Sequence, residues 1–244
     1  LRKSLISSVE KRMISDVPLG SFLSGGIDST IIASIASGFT DKLKTFSIGF
    51  TDDPQYDETV YAEIAAKKIG TDHHTFRLSN EDLLNNLFGA LDYLDEPFGD
   101  SSALNVFILS RQTRKHVTVA LSGDGADELF GGYNKHAAEY FIRQNPAAVK
   151  AISLLSPFLN VLPSSRTGNF ADTVRKAKRL SNAAGLNAKD RYWQWASIAT
   201  ENEISKVLSS AGSLNEDQRK KYLERKRELL QHIDESQSLS SVLL

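Results

Sequence analysis

Four short runs rich in apolar and β-branched residues punctuate the first half of the chain: Leu19 to Leu23, Lys44 to Phe50, His73 to Leu78 and Val117 to Leu121. Stretches with apolar positions at helical spacing lie between them, and this alternation predicts a parallel β-sheet covered by helices. Val117-Thr118-Val119-Ala120-Leu121 is nearly all apolar, so a strand buried on both faces is expected there. Ser79 followed by Glu81 and Asp82, and the group Asp100-Ser101-Ser102, read as helix starts. After about Pro146 the strand-like runs stop, and the remainder reads as helices broken at Pro157, Pro163, Gly168, Gly185 and Gly212. The pattern predicts an α/β domain over residues 1–145 and a mostly helical subdomain over residues 146–244. No internal repeat or low-complexity segment interrupts it.

Composition narrows the classes. With 244 residues and 41% hydrophobic content the chain can bury a full core, in one domain or two. Lys plus Arg number 29 against 30 Asp plus Glu, and the net charge of -1 gives no overall attraction to nucleic acid or to a membrane surface. Neither is expected as a partner, and any bound anion must be met locally. The mixed-sign run Gln218 to Glu228, with Leu223, Leu229 and Leu230 at helical spacing, reads as a solvated helix face. There is no cysteine, which excludes disulfides, thiolate zinc sites and cysteine nucleophiles and suits a reducing cytoplasm. No stretch approaches the ~18 consecutive apolar residues of a membrane span. The start at Leu1-Arg2-Lys3-Ser4, without an initiator Met or a signal pattern, leads us to expect a piece of a longer protein.

Candidate chemistry begins at Ser24-Gly25-Gly26-Ile27-Asp28-Ser29-Thr30, between the first predicted strand and a predicted helix. Free N–H groups of such a turn, and the helix dipole behind them, make a site for phosphate oxygens. Gly20 and Gly25 have the glycine spacing of a Walker A loop, but Gly26 and Ile27 stand where that motif needs Lys and Ser or Thr. The plainer reading is a structural glycine turn with Ser29 and Thr30 as capping residues. A second stretch, Leu121-Ser122-Gly123-Asp124-Gly125-Ala126-Asp127-Glu128-Leu129-Phe130-Gly131-Gly132-Tyr133, again leaves a strand through glycines and enters a helix, now with three acids. In a parallel sheet both turns fall on the edge where α/β proteins bind ligands. Acids beside phosphates call for a bridging cation, and magnesium held by Asp28 and Asp127 fits that need. Alternatively, Asp127 and Glu128 only complement a helix dipole.

Ser24 to Ser29 resembles the pyrophosphate loop of the ATP pyrophosphatase family. Together with Leu121 to Tyr133 and with Asp95-Glu96-Pro97-Phe98-Gly99-Asp100-Ser101-Ser102-Ala103-Leu104, the chain resembles the synthetase domain of glutamine-hydrolysing asparagine synthetases. The resemblance is strong over residues 1–145 and weaker beyond. It implies a Rossmann-like PP-loop fold of the adenine nucleotide alpha hydrolase type, with a helical C-terminal region. It also implies ATP and magnesium as ligands. Ser24, Gly25, Gly26, Asp28 and Ser29 would hold the β- and γ-phosphates, and Asp28 and Asp127 the magnesium. Leu23 and Ile48 would flank the adenosine, Ser122 and Gly123 would touch the AMP part, and Asp124 and Asp127 would be the catalytic carboxylates.

The implied reaction adenylates an aspartate side chain, releasing pyrophosphate, and then transfers ammonia to give asparagine and AMP. The family commonly has Glu where this chain has Asp124, one methylene shorter, so a paralogue amidating another carboxylate remains an alternative. Others are a β-lactam synthetase-like enzyme, a nucleobase or tRNA modifier, and a catalytically silent ATP-binding protein. The resemblance places a glutaminase domain with an N-terminal cysteine ahead of Leu1 as the ammonia source, and a Lys-bearing loop beyond Leu244. A fragment able to bind ATP without turnover is therefore expected, and a homodimer is compatible with it.

Other polar and aromatic residues have plain readings. His73 and His74 are adjacent on a strand and should face opposite sides. His116, His136 and His232 lack neighbours at metal-ligand spacing and read as packing or surface residues. Trp193 and Trp195, near Tyr192 and Ile198, read as core rather than a base-stacking platform. Asp95, Glu96 and Asp100 would line an acid-substrate site or cap the next helix.

Overall fold

The architecture is taken from a computed structural model of the chain, which describes residues 1–96, 98–162, 169–199, 201–211 and 215–233. Pro97, Pro163, Gly168 and Gly212 lie outside the described residues. The chain divides into two compact units, Leu1–Ala126 and Asp127–Leu244.

The first unit is a four-stranded parallel sheet with helices. Strands β1 (Leu19–Phe22), β2 (Lys44–Phe50), β3 (Asp72–Leu78) and β4 (Val119–Leu121) lie in the order β3-β2-β1-β4. The register pairs Phe22 with Phe46, Phe46 with His74, and Ser21 with Leu121. Helices α1 (Arg2–Met13), α2 (Ile27–Ala36), α3 (Thr59–Ile69), α4 (Asn80–Leu91) and α5 (Ser102–Thr113) complete it. The alternation read from the sequence is thus present, preceded by α1, to which no run in that reading corresponds.

Small residues let the helices come close. Ala33 and Ala36 of α2 and Ala62 and Ala66 of α3 are buried against Leu23, Leu43 and Val9, and Ile32, Ile35 and Leu121 pack around them. Burying Leu23 and Leu43 contributes roughly 1.5–3 kcal/mol each by transfer from water. Phe46 is wholly buried in the middle of β2, its ring stacked with those of His74 and Phe76. His73, one residue away, instead meets Thr45 Oγ1 at 2.9 Å and Ser47 Oγ at 3.1 Å, so the two histidines do face opposite sides. Burial holds the His73 ring below its ordinary pKa.

One expectation is overturned. Val117 to Leu121 is not a strand buried on both faces: β4 covers Val119–Leu121, pairs with β1 at the end of the sheet, and leaves Val119 38% exposed. Apolar composition marks a strand as sheltered, but which position it takes in the sheet depends on partners far along the chain. The helix starts hold. Ser79 and Asp82 form a reciprocal capping box on α4, and Asp100 Oδ1 accepts from Ser102 N at 2.9 Å at the start of α5.

The second unit is helical in its described residues: α6 (Ala126–Phe130, entered from the first unit), α7 (Asn134–Gln144), α8 (Pro146–Val161), α9 (Asn169–Ala184), α10 (Ala188–Ala196), α11 (Glu201–Ala211) and α12 (Glu216–Leu230). It begins earlier than the change of texture near Pro146, because α7 is tied to α10. Glu139 of α7, 3% exposed, accepts from Arg191 Nε at 2.8 Å, Arg191 Nη2 at 3.0 Å, Trp195 Nε1 at 3.0 Å and Arg143 Nε at 2.9 Å. Burial pushes the Glu139 carboxyl up, and these donors more than offset it, so it is held below its ordinary value. Trp195 is core, as read; Trp193 meets the Tyr222 ring edge-on and carries the Lys226 ammonium 5.1 Å over its own ring. The expected break at Pro157 is absent, since that residue sits inside α8. Packing along α9, where Ser156 Oγ donates to Asn182 Oδ1 at 2.6 Å, holds the helix through the lost backbone bond. The mixed-sign run lies in the largely exposed α12.

Glu139→Ala leaves Arg191 buried without its carboxylate, which costs about 3–5 kcal/mol. A urea titration followed by circular dichroism is expected to show a correspondingly lowered midpoint.

Candidate active site

The turn after β1 is built by backbone contact. Leu23 is 1% exposed, and its N–H still donates to Phe46 O at 2.8 Å, so the chain leaves the sheet only at Ser24. Gly25 has φ +83°, and a Cβ there would fall 2.5 Å from Ala62 N and 2.6 Å from Tyr61 Cβ. The turn runs directly against the α3 backbone, a path open to glycine alone. The N-cap of α2 is Gly26, which has no side chain, so neither Ser29 nor Thr30 holds that position. Ser29 folds back onto the turn: its Oγ lies 2.9 Å from Ser24 Oγ and accepts from Ser24 N at 3.2 Å. Gly26 N donates to Ser24 Oγ at 3.2 Å. Asp28, half-buried, stands in the first turn of α2.

The second turn lies on the first. β4 runs parallel to β1, and Ser21 Oγ donates to Leu121 O at 3.2 Å. Two residues on, a Cβ at Gly123 would fall 2.7 Å from Ser29 N and 2.9 Å from Asp28 C. The backbone at Gly123 therefore rests against the first turn of α2. Ser122 Oγ donates to Asp124 Oδ2 at 2.9 Å, which turns the exposed Asp124 carboxylate back toward its own loop. Gly125, φ +91°, then leads into α6.

A cleft of about 190 Å³ opens where β1 and β2 end, lined by Leu23, Ser24 and Ile48 together with Ser47, Tyr56, Glu58, Thr59 and Asn105. The expected residues Leu23, Ser24, Gly25, Gly26, Asp28, Ser29, Ile48, Ser122, Gly123 and Asp124 all lie in the first unit, at the ends of β1, β2 and β4. Asp127 opens the second unit. There its carboxylate lies against the Gly132 backbone, and Gly132 N donates to Asp127 O at 3.0 Å. Glu128 accepts from Tyr133 Oη at 2.6 Å, and that bond, first among its causes, holds the Glu128 carboxyl below its ordinary value. Among the described residues no group of three or more His, Asp and Glu side chains is placed to hold a metal.

A polar cluster beside the cleft was missed from the sequence. Asp57 Oδ1 accepts from Thr59 Oγ1 at 2.6 Å and Thr59 N at 3.0 Å, and its Oδ2 accepts from Arg77 Nη1 at 2.9 Å. The Thr59 hydroxyl and amide, then Arg77, hold the Asp57 carboxyl below its ordinary 3.8. The signal was Asp57-Glu58-Thr59 directly before a helical run, the spacing of an Asx turn at a helix start. Asn105 carries no comparable mark, because only the packing of α5 on β2 brings it to the cleft.

A parallel sheet flanked by helices, with one glycine turn at the end of β1 and a second laid over it, defines a Rossmann-like α/β protein. Comparison with known proteins narrows the class. The asparagine synthase family model matches residues 1–241, and the chain belongs to that family. It is 45% identical over 208 residues to the glutamine-hydrolyzing asparagine synthetase 1 of Bacillus subtilis (strain 168), covering 85% of this chain and 32% of that protein. It is 43% identical over 162 residues to a Methanocaldococcus jannaschii protein provisionally named glutamine-hydrolyzing asparagine synthetase 2, covering 64% of this chain and 31% of the relative. With the glutamine-hydrolyzing asparagine synthetase 1 of Arabidopsis thaliana it shares 32% identity over 146 residues, 54% of this chain and 24% of that one. The chain spans about a third of the length of the first two of these relatives.

Two outcomes follow from this geometry. Gly125→Ala meets open space and is expected to cost only its left-handed backbone, roughly 1–2 kcal/mol. Gly25→Ala adds a collision with α3 and should lower the urea midpoint by clearly more. Asp57 yields a pH signature. A carboxyl held below its unfolded pKa contributes stability that is present above the unfolded value and lost as pH falls through the folded one. Asp57→Asn is therefore expected to lower the melting temperature at neutral pH, with the gap to the parent closing as pH falls below 3.8.

Proposed function

We propose that this chain carries the ATP-using centre of an asparagine synthetase-type amidoligase, which adenylates a side-chain carboxylate and passes ammonia to it. The observation that carries the reading is the laying of Gly123 over the first turn of α2, beside a helix terminus whose N-cap is the glycine Gly26. Backbone N–H groups and the dipole of this ten-residue helix attract anions at that point. The β- and γ-phosphates would sit on Ser24, Gly25, Gly26, Asp28 and Ser29, the adenosine in the cleft between Leu23 and Ile48, and the AMP portion against Ser122 and Gly123.

Asp28 and Asp127 would be the carboxylates that hold magnesium, an ion that takes one or two carboxylates with phosphate oxygens and waters supplying the rest. When bound, it would neutralise charge on the leaving pyrophosphate. In the first step an oxygen of the substrate carboxylate attacks the α-phosphorus, and the bond from that phosphorus to the bridging oxygen of pyrophosphate breaks. In the second, ammonia attacks the acyl carbon, the amide forms, and AMP leaves. Positioning and charge neutralisation account for most of such catalysis, so the glycine turns are its main instruments. Asp124 would accept the proton shed by the attacking nitrogen. Ammonia would come from glutamine hydrolysis outside these 244 residues, which hold no cysteine to serve as a glutaminase nucleophile. Aspartate is the substrate that the names of the relatives suggest. The tether from Ser122 to the short Asp124 side chain is what favours testing other carboxylates beside it.

The test is calorimetric titration of ATP with magnesium, with and without pyrophosphate, into the chain and into Asp127→Ala. Competition by pyrophosphate and loss of magnesium-dependent affinity in the variant are expected. An absence of ATP binding here and in a longer chain of the same protein would overturn the reading. In a longer chain of the same protein supplied with ammonium and aspartate, phosphorus NMR should record AMP and pyrophosphate, not ADP.

A further inference from the structure

The cleft at the ends of β1 and β2 has largely apolar walls, Leu23, Ile48 and Leu109 among them. At about 190 Å³ it is smaller than the ~300–1,000 Å³ that encloses a drug-sized ligand, so it suits one flat ring system rather than a whole nucleotide. Three of its polar side chains are already engaged. Ser24 Oγ lies 2.9 Å from Ser29 Oγ, Ser47 Oγ lies 3.1 Å from His73 Nε2, and Thr59 Oγ1 donates to Asp57 Oδ1 at 2.6 Å. Tyr56 and Glu58 are exposed, so water serves them. Asn105 is different. It is half-buried in the interior of α5, and among the described residues its carboxamide has no hydrogen-bond partner. Asparagine is a poor residue for a helix interior because its side chain competes for backbone groups, and at Asn105 no such bond compensates. A sheltered amide without a partner costs free energy that a bound ligand restores.

We propose that Asn105 determines which base the cleft accepts, its carboxamide accepting from the exocyclic amine of adenine and donating to the N7 beside it. The inference rests on the proposed ATP site and adds to it the group that reads the base. A carboxamide offers an acceptor and a donor side by side, and adenine presents a donor and an acceptor along that edge. Guanine presents two acceptors there, O6 and N7, which one carboxamide does not meet as a pair. Apolar walls such as Leu23 and Ile48 hold purines by buried area and treat them alike, so discrimination falls to the polar group between them. Asn105 takes no part in the reaction itself and acts on specificity.

The test is calorimetric titration of ATP, GTP, 7-deaza-ATP and pyrophosphate, each with magnesium, into the chain and into a longer chain of the same protein, with and without Asn105→Leu. Leucine has as many heavy atoms as asparagine and is a better helix former, so the urea midpoint should be retained or raised. The parent is expected to bind ATP at least about tenfold more tightly than GTP or than 7-deaza-ATP, which lacks the N7 acceptor. Asn105→Leu should weaken ATP about tenfold, weaken 7-deaza-ATP by clearly less, shrink the preference over GTP and leave pyrophosphate unchanged. A helix merely loosened by the change would weaken all four ligands together, and that result overturns the inference. It is also overturned, with the ATP site left standing, if the parent binds ATP and pyrophosphate without preferring ATP over GTP, or if Asn105→Leu keeps the parent's ratios among the three nucleotides. If neither chain binds ATP, the ATP site and the inference fall together.

Discussion

Three stretches of backbone meet around the first turn of α2, and the first unit is arranged to let them. The Gly25 turn presses on α3, and the Gly123 turn presses on Asp28 and Ser29. Any side chain at either glycine would occupy space already filled by backbone, which cannot yield as a flexible side chain can. The alanines of α2 and α3 and the buried Leu23 serve the same end, holding both helices close enough to the sheet for the turns to touch. Because the contact is main chain on main chain, the N–H groups at the helix start are fixed in direction, with that of Gly26 donating to Ser24 Oγ. Fixed donors of that kind suit an anion whose charge changes during a reaction.

The two units handle charge in different ways. In the first, carboxylates sit where a short sequence places them. Asp57 is held by Thr59 and Arg77 at the start of α3, and Asp124 is drawn back by Ser122 within its own turn. In the second, Glu139 is buried with Arg191, Arg143 and Trp195, joining α7 to α10. A buried ion pair is weak evidence of net stabilisation against an apolar substitute, but breaking one is costly, so it fixes one packing of these helices over others. In the same unit Asp172 is shared between Arg175 and Lys176.

Membership of the asparagine synthase family ties the glycine turns to a family whose curated relatives carry asparagine synthetase names. Identity over 208 residues with the Bacillus subtilis relative extends through most of the helical region as well as the sheet. In the sequence the glycine motifs of the first unit are more telling than the helices of the second. A glycine that must approach backbone is constrained one residue at a time, whereas a helix is constrained only as an amphipathic pattern that many residues satisfy.

Local chemistry determined much of what could be read from the chain alone. Alternating runs marked β1, β2 and β3, Ser79 and Asp82 marked the capping box of α4, and the paired glycines marked both turns. Those features depend on neighbours within a few residues, so a window of sequence contains their causes. Tertiary structure alone decided that β4 is an edge strand with Val119 exposed, that Pro157 lies inside α8, and that Asn105 reaches the cleft. It alone put Gly123 on Ser29 and Glu139 on Arg191, pairs separated by tens of residues in the chain. Such contacts are set by which surfaces remain to be buried once the local elements exist, and that balance belongs to the whole fold rather than to any segment of it.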